Sequence, residues 1–189
     1  MSRPVALLVV LLVAVGSGCT TKAEIRTGEL PDRPTATRSS PHNAADASYA
    51  QQLGFLHDQA FELAREAASR EEVSPQLGDL ADRVRETRVR GMVTLDVLRG
   101  TWGVDRLASD FDAVPGALTG RDVRQLRRLD GPAFERLWLE RLTDNYEGSI
   151  ALSQDLLDTG LSVEGQKYAQ WLVVELQEDL EALERHAEH

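Results

Sequence analysis

The stretch 45-ADASYAQQLGFLHDQAFELAREAASR-70 decides the fold. Its apolar residues Tyr49, Leu53, Leu56, Ala60, Leu63 and Ala67 recur at alternating steps of four and three, which places all six on one face of an α-helix. The chain then writes that face a second time, 89 residues later, as Trp138, Leu142, Asn145, Ser149, Leu152 and Leu156. Each copy is followed by a second amphipathic segment. Ser74-Pro75 supplies an N-cap and a proline at the first helical position, where a missing N–H costs nothing. Leu77, Leu80, Val84, Met92, Leu95 and Leu98 then continue the helical spacing toward Trp102, with Gly100 or Gly103 as the stop. In the second copy Ser162 is the cap, and Ala169, Leu172, Leu176, Leu180 and Leu183 form the face. Ala81, Val84, Met92 and Leu95 match Ala169, Leu172, Leu180 and Leu183 at a shift of 88.

Working outward, the two hairpins span about Asp46 to Trp102 and about Pro132 to the C-terminus, with Gly160 closing the third long helix. Between them, Val104 to Asp130 is punctuated by Gly and Pro, with one short helical patch at Val123, Leu126 and Leu129. No segment alternates polar and apolar residues over a strand's length. Two helical hairpins joined by one long crossover predict an all-α, ferritin-like four-helix bundle over residues 45–189.

The first 44 residues read differently. Arg3 is a short positive region, Val5 to Val15 is an unbroken apolar run, and Gly16-Ser17-Gly18 precede the chain's single cysteine, Cys19. Eleven apolar residues reach only about 16 Å as a helix, roughly half a bilayer core, so the run reads as a signal segment rather than a membrane anchor. Small residues followed at once by Cys resemble the lipobox of bacterial lipoproteins, in which that Cys is acylated and becomes the new N-terminus. A Gly at position 16 stands where lipoboxes usually carry Leu. Residues 1–18 are therefore expected to be a lipoprotein signal peptide, with Cys19 the lipidation site. Residues 19–44, rich in Thr, Ser and Pro with few large apolar groups, are expected to form a flexible tether.

Charge and composition exclude several functions. Acidic residues outnumber basic ones by 31 to 21, a net charge of -10 that argues against nucleic-acid binding. One cysteine makes no intramolecular disulfide and no Cys-based zinc site. No Glu-x-x-His pair occurs for a di-iron centre, no Gly-x-Ser-x-Gly elbow and no phosphate loop. The sequence therefore points to a protein that is not an enzyme. The arginines at 83, 85, 88 and 90 read as a solvated face with local ion pairs.

With the repeat laid out, the region from Ala45 to His186 resembles the domain of unknown function 305 family, including Phe134-x-x-Leu137 and Glu147-Gly148-x-Ile150. The resemblance implies a ferritin-like bundle, often exported, linked in some members to copper or silver. It also implies a Met-x-x-His-His-x-x-Ala-x-x-Met motif on the first helix of each hairpin, whose thioethers and imidazoles can share a soft cation. Here the first copy reads Leu53-x-x-Leu56-His57-x-x-Ala60-x-x-Leu63, and the second Leu142-x-x-Asn145-Tyr146-x-x-Ser149-x-x-Leu152. Of the eight Met and His positions only His57 remains. Leu in place of Met keeps volume and removes sulfur.

His57, Asn145 and Tyr146 are thus the candidate metal residues of a degenerate site. Their competing reading is a histidine at the bundle boundary, hydrogen-bonded to Asn145 or Tyr146. The expected function is an exported, lipid-anchored binding or structural module at the bacterial cell envelope. It would be held on the outer face of the cytoplasmic membrane or secreted, touch the membrane through its anchor and need no cofactor. The alternative is residual extracytoplasmic copper handling.

Overall fold

The structure, a computed structural model, describes residues 41–107 and 114–187. The signal segment, Cys19 and the tether up to residue 40 lie outside the described residues. Those described form four long helices and one short one, with no strand among them. They are α1 (Ala44–Ala68), α2 (Pro75–Trp102), α3 (Gly120–Leu126), α4 (Gly131–Thr159) and α5 (Val163–Ala187).

Local chemistry sets each start. Asn43 caps α1 in a reciprocal box with Asp46, and Ser74 caps α2 ahead of Pro75. Thr119 and Asp122 form a second box on α3, which is the expected helical patch. The Ser162 hydroxyl accepts from the Gly165 N–H at 3.1 Å at the start of α5. Gly103 ends α2 with φ 68, a conformation that glycine adopts without a Cβ penalty.

α1 and α2 form one hairpin, α4 and α5 the other, and α1 packs on α4. That seam is antiparallel and stitched by three buried hydrogen bonds. Tyr49 Oη pairs with Ser153 Oγ at 3.2 Å, Asn145 Nδ2 donates to the Leu56 carbonyl at 3.1 Å, and Trp138 Nε1 donates to the Leu63 carbonyl at 2.8 Å. Each descent of seven residues on α1 meets an ascent of seven or eight on α4. Small buried residues at Ala50, Ala60, Ala64, Ser149 and Ser153 allow the backbones to come this close. The core on either side is aliphatic, with Phe134 and Trp138 fully buried.

One carboxylate fastens the end where α1 begins. Asp46 is fully buried and accepts from the backbone N–H groups of Asn43 (2.8 Å), Leu161 (3.0 Å) and Ser162 (3.1 Å), so it ties the start of α1 to the α4–α5 turn. Asn43 adds a bond from its own side chain to the Thr159 carbonyl at 2.9 Å. His42 stacks on Trp102 with ring centres 5.6 Å apart, so packing contacts begin at residue 42, inside the stretch expected to be tether. At the opposite end the Ser74 N–H and hydroxyl both donate to Glu135.

The crossover returns from the end of α2 to the start of α4 along the outside of the α1–α4 pair. Gln59 holds it by donating to the Leu118 carbonyl at 2.9 Å and accepting from the Leu118 N–H at 2.7 Å. Gly116, at φ 78, lies directly on Gly148, where an added Cβ would sit 2.2 Å from the Pro115 carbonyl oxygen. Gly148→Ala must therefore push the crossover away from α4. We expect a loss of about 1–3 kcal/mol, the usual range for overpacking, measured by urea unfolding, together with faster proteolysis between Val104 and Leu118.

Candidate functional site

α2 and α5 approach each other less closely than the other neighbouring helices. Large polar side chains fill the gap. His57 on α1 is 1% exposed, and its Nε2 lies 2.9 Å from the Tyr168 hydroxyl on α5. Gly91 on α2 makes room for that contact, since a Cβ there would lie 2.7 Å from both the imidazole and the Tyr168 oxygen. Arg88, one helical turn before Gly91, is also 1% exposed. Its guanidinium sits 4.8 Å from the centre of the Tyr146 ring, a cation–π contact, and 3.9 Å from the Asp179 carboxylate on α5.

A second buried arginine, Arg99, lies over Gly54 of α1. It donates to the Ala50 carbonyl at 3.0 Å and pairs with Asp96. Its position leaves no room for a Cβ on Gly54.

The electrostatics follow from burial. Desolvation pulls the His57 pKa well below its ordinary value, and the Arg88 and Arg99 charges push it further down. The imidazole is therefore neutral. Burial raises the Tyr168 phenol and lifts Tyr146 to about 12, so both stay protonated. Burial also raises Asp179, and the nearby Arg88 cation opposes that shift.

The three residues expected to form the degenerate site all lie in this interior, Asn145 and Tyr146 also being 1% exposed. They do not bond as expected. His57 is inside the bundle rather than at its boundary, and its hydrogen-bond partner is Tyr168, not Asn145 or Tyr146. Asn145 instead donates to the carbonyl of Leu56, its own counterpart in the repeat. Arg88 departs from the solvated-face expectation altogether, while Arg83, Arg85 and Arg90 are exposed.

Outside the bundle, a groove of about 330 Å³ lies between α1 and the crossover, floored by Phe55, Leu63, Leu118, Val123 and Leu126. The carboxylates along it, Asp58, Glu62 and Glu66, pair with Arg106, Arg65 and Arg70. Arg127 also lines the groove, and it forms no ion pair among the described residues.

The family model described as a domain of unknown function (DUF305) matches residues 46–187. The chain belongs to the DUF305 family. A crystal structure of a DUF305 fragment from Deinococcus radiodurans superposes with a TM-score of 0.68 at 20% identity, covering 76% of this chain and 95% of that one. A DUF305 protein from Streptomyces coelicolor, described as a candidate secreted protein, gives 0.66 at 19% identity, covering 74% and 89%. No curated protein matches. At these identities the two structures establish the fold.

DUF305 membership raises the question of a soft metal, and the donor set here does not suit one. Nε2 of His57 is engaged by Tyr168, Asn145 spends its amide nitrogen on a backbone carbonyl, and Tyr146 faces a permanent cation. A Cu(I) ion would enter beside Arg88 with one imidazole nitrogen and no thioether. A single nitrogen donor with no sulfur beside it suits that ion poorly.

Two members of the cluster were readable from spacing alone. Arg88 lies four residues after Val84, and Gly91 seven after it, both on the buried stripe of α2. A reading by residue type sets Arg aside as a surface residue. Tyr168 precedes the recognised α5 face by one residue and escapes in the same way.

The neutral His57 links stability to pH. Its folded pKa lies below its unfolded value near 6.5, so the unfolded chain takes up a proton that the folded chain refuses. His57 thus contributes full stability above pH 6.5, and the contribution falls as acid is added below that value. One such group gives a slope of at most about 1.4 kcal/mol per pH unit. Urea unfolding between pH 7.5 and 5 is expected to show this acid loss in the parent chain and a flatter profile in His57→Gln. Equal slopes would mean that His57 is protonated in the folded bundle.

Proposed function

We propose that this DUF305 chain is an exported, lipid-anchored helical bundle that acts without catalysis, as a binding or structural module at the outer face of the cell envelope. The observation that carries this reading is the closed interior. At the family's motif positions stand His57, Asn145 and Tyr146, and each makes one contact that ties helices together. Chemistry on a partner is left to the outer helical surfaces.

Export is supported by Arg3, the apolar run from Val5 to Val15 and the small residues before Cys19. The Streptomyces coelicolor relative described as a candidate secreted protein agrees with it. Among the described residues no helix is long and apolar enough to cross a membrane. In this reading Cys19 carries the attachment. The competing reading, residual copper handling, has in its favour three buried atoms of these residues, His57 Nδ1, Asn145 Oδ1 and Tyr146 Oη, which find no hydrogen-bond partner among the described residues.

Two experiments separate these readings. Cys19→Ser is expected to move the protein from the membrane fraction to the soluble fraction, and unchanged membrane association would remove the anchor. Titration with Cu(I), Cu(II) and Zn(II) against a competing chelator is expected to show no stoichiometric site tighter than micromolar. A tight site abolished by His57→Ala would establish the metal reading instead.

A further inference from the structure

Three of the exposed large apolar side chains stand together at the α4–α5 turn. Leu157 is 38% exposed, Leu161 55% and Val163 56%. The remaining ones, Val89, Val93 and Val174, lie along the flanks of α2 and α5.

Part of the backbone of this turn is tied into the bundle. Gly160 N–H donates to the Leu156 carbonyl at 2.7 Å, and its own carbonyl accepts from Gln166 at 2.8 Å. Leu161 and Ser162 N–H groups both end on Asp46, and the Thr159 carbonyl accepts from Asn43. Ser162 and Asp46 are fully buried, so these bonds satisfy groups that water does not reach. What the turn shows outward is the apolar trio Leu157, Leu161 and Val163, a surface that calls for a medium or partner other than water.

The position of the chain's start says which medium that is. The residues that satisfy the turn, Asn43 and Asp46, stand at the start of the bundle beside His42, so the segment leading back to Cys19 leaves from the same end. Even fully extended, the 22 steps from Cys19 to Pro41 reach at most about 80 Å. A domain confined so near a surface meets it at high effective concentration, and a weak contact suffices.

We propose that the tip formed by Leu157, Leu161 and Val163 seats in the interfacial layer of the lipid bilayer to which the chain is anchored, holding the bundle with its α4–α5 turn toward the membrane. The proposal rests on the anchoring proposed above. Its contact is apolar rather than electrostatic, because Asp155, Asp158 and Glu164 are exposed beside the tip and oppose anionic headgroups.

The test is hydroxyl-radical footprinting of the full chain on phosphatidylcholine vesicles. The chain is attached either by acylated Cys19 or, if the cell does not acylate it, by coupling the Cys19 thiol to a maleimide lipid. Leu161 and Val163 are expected to lose labelling several-fold relative to the same protein free in solution, with Val89 and Val93 unchanged. Adding phosphatidylglycerol is expected to weaken the protection. The double variant Leu161→Asp, Val163→Asp alters only exposed side chains and should unfold like the parent, while Leu157 regains its labelling.

Uniform labelling across all these positions on attached protein would overturn the proposal. So would protection that grows with protein density on the vesicle, the mark of a second copy, or protection strengthened by anionic lipid. Failure of acylation with protection of the coupled chain would remove the native anchor while leaving the tip a bilayer-seeking surface.

Discussion

The hydrogen-bonded register of α1 against α4 is the constraint on which the rest of the bundle depends. Small buried residues on this seam, Ala60, Ser149 and Ser153, leave room for side chains to reach the opposite main chain. Asn145 and Trp138 do so, bonding carbonyls of Leu56 and Leu63 from across the seam. A neutral buried hydrogen bond contributes only about 1 kcal/mol net, but leaving such a donor unpaired costs about 1–3 kcal/mol, so the value of these bonds lies in register. A slide of one turn would strand the Asn145 amide and the Trp138 indole together. Once α1 and α4 are fixed, each carries its hairpin partner with it, and the gap between α2 and α5 is whatever remains.

That gap is where the two halves of the repeat diverge. His57 on α1 corresponds to Tyr146 on α4, and Gly91 on α2 corresponds to Asp179 on α5. In one half an imidazole fits against the space left by a glycine. In the other a phenol ring carries a buried guanidinium, whose charge is answered by a carboxylate. The asymmetry makes chemical sense. Arg88 cannot lose its proton, so its burial demands a π face and an anion, and it also forbids a second charge nearby. His57 remains neutral chiefly through its own desolvation, and the Arg88 charge adds to that effect.

The architecture was legible in the sequence because it is written twice. The four-three spacing, the caps at Ser74 and Ser162, and the stop at Gly103 report local physics that the folded chain obeys. The interior polar cluster was only half legible. His57, Asn145 and Tyr146 stood out because they interrupt an apolar stripe, and all three are buried. Their partners did not stand out. Whether His57 meets Tyr146 or Tyr168 depends on the distance between two helices, which periodicity does not encode. Arg88 kept the period of its helix and was misplaced on chemical type alone. Here the spacing deserved more weight than the residue's usual preference for water.

The clamp at Asp46 has a mechanical consequence. A chain pulled from residue 41 delivers its load to His42, stacked on Trp102, and then to Asn43 and Asp46, which are bonded to Thr159, Leu161 and Ser162 as well as to α1 itself. Tension at that point is therefore shared between the first helix and the far hairpin, rather than unzipping α1 one turn at a time. Such load sharing where the chain enters the bundle resists peeling where an ordinary frayed helix start would yield.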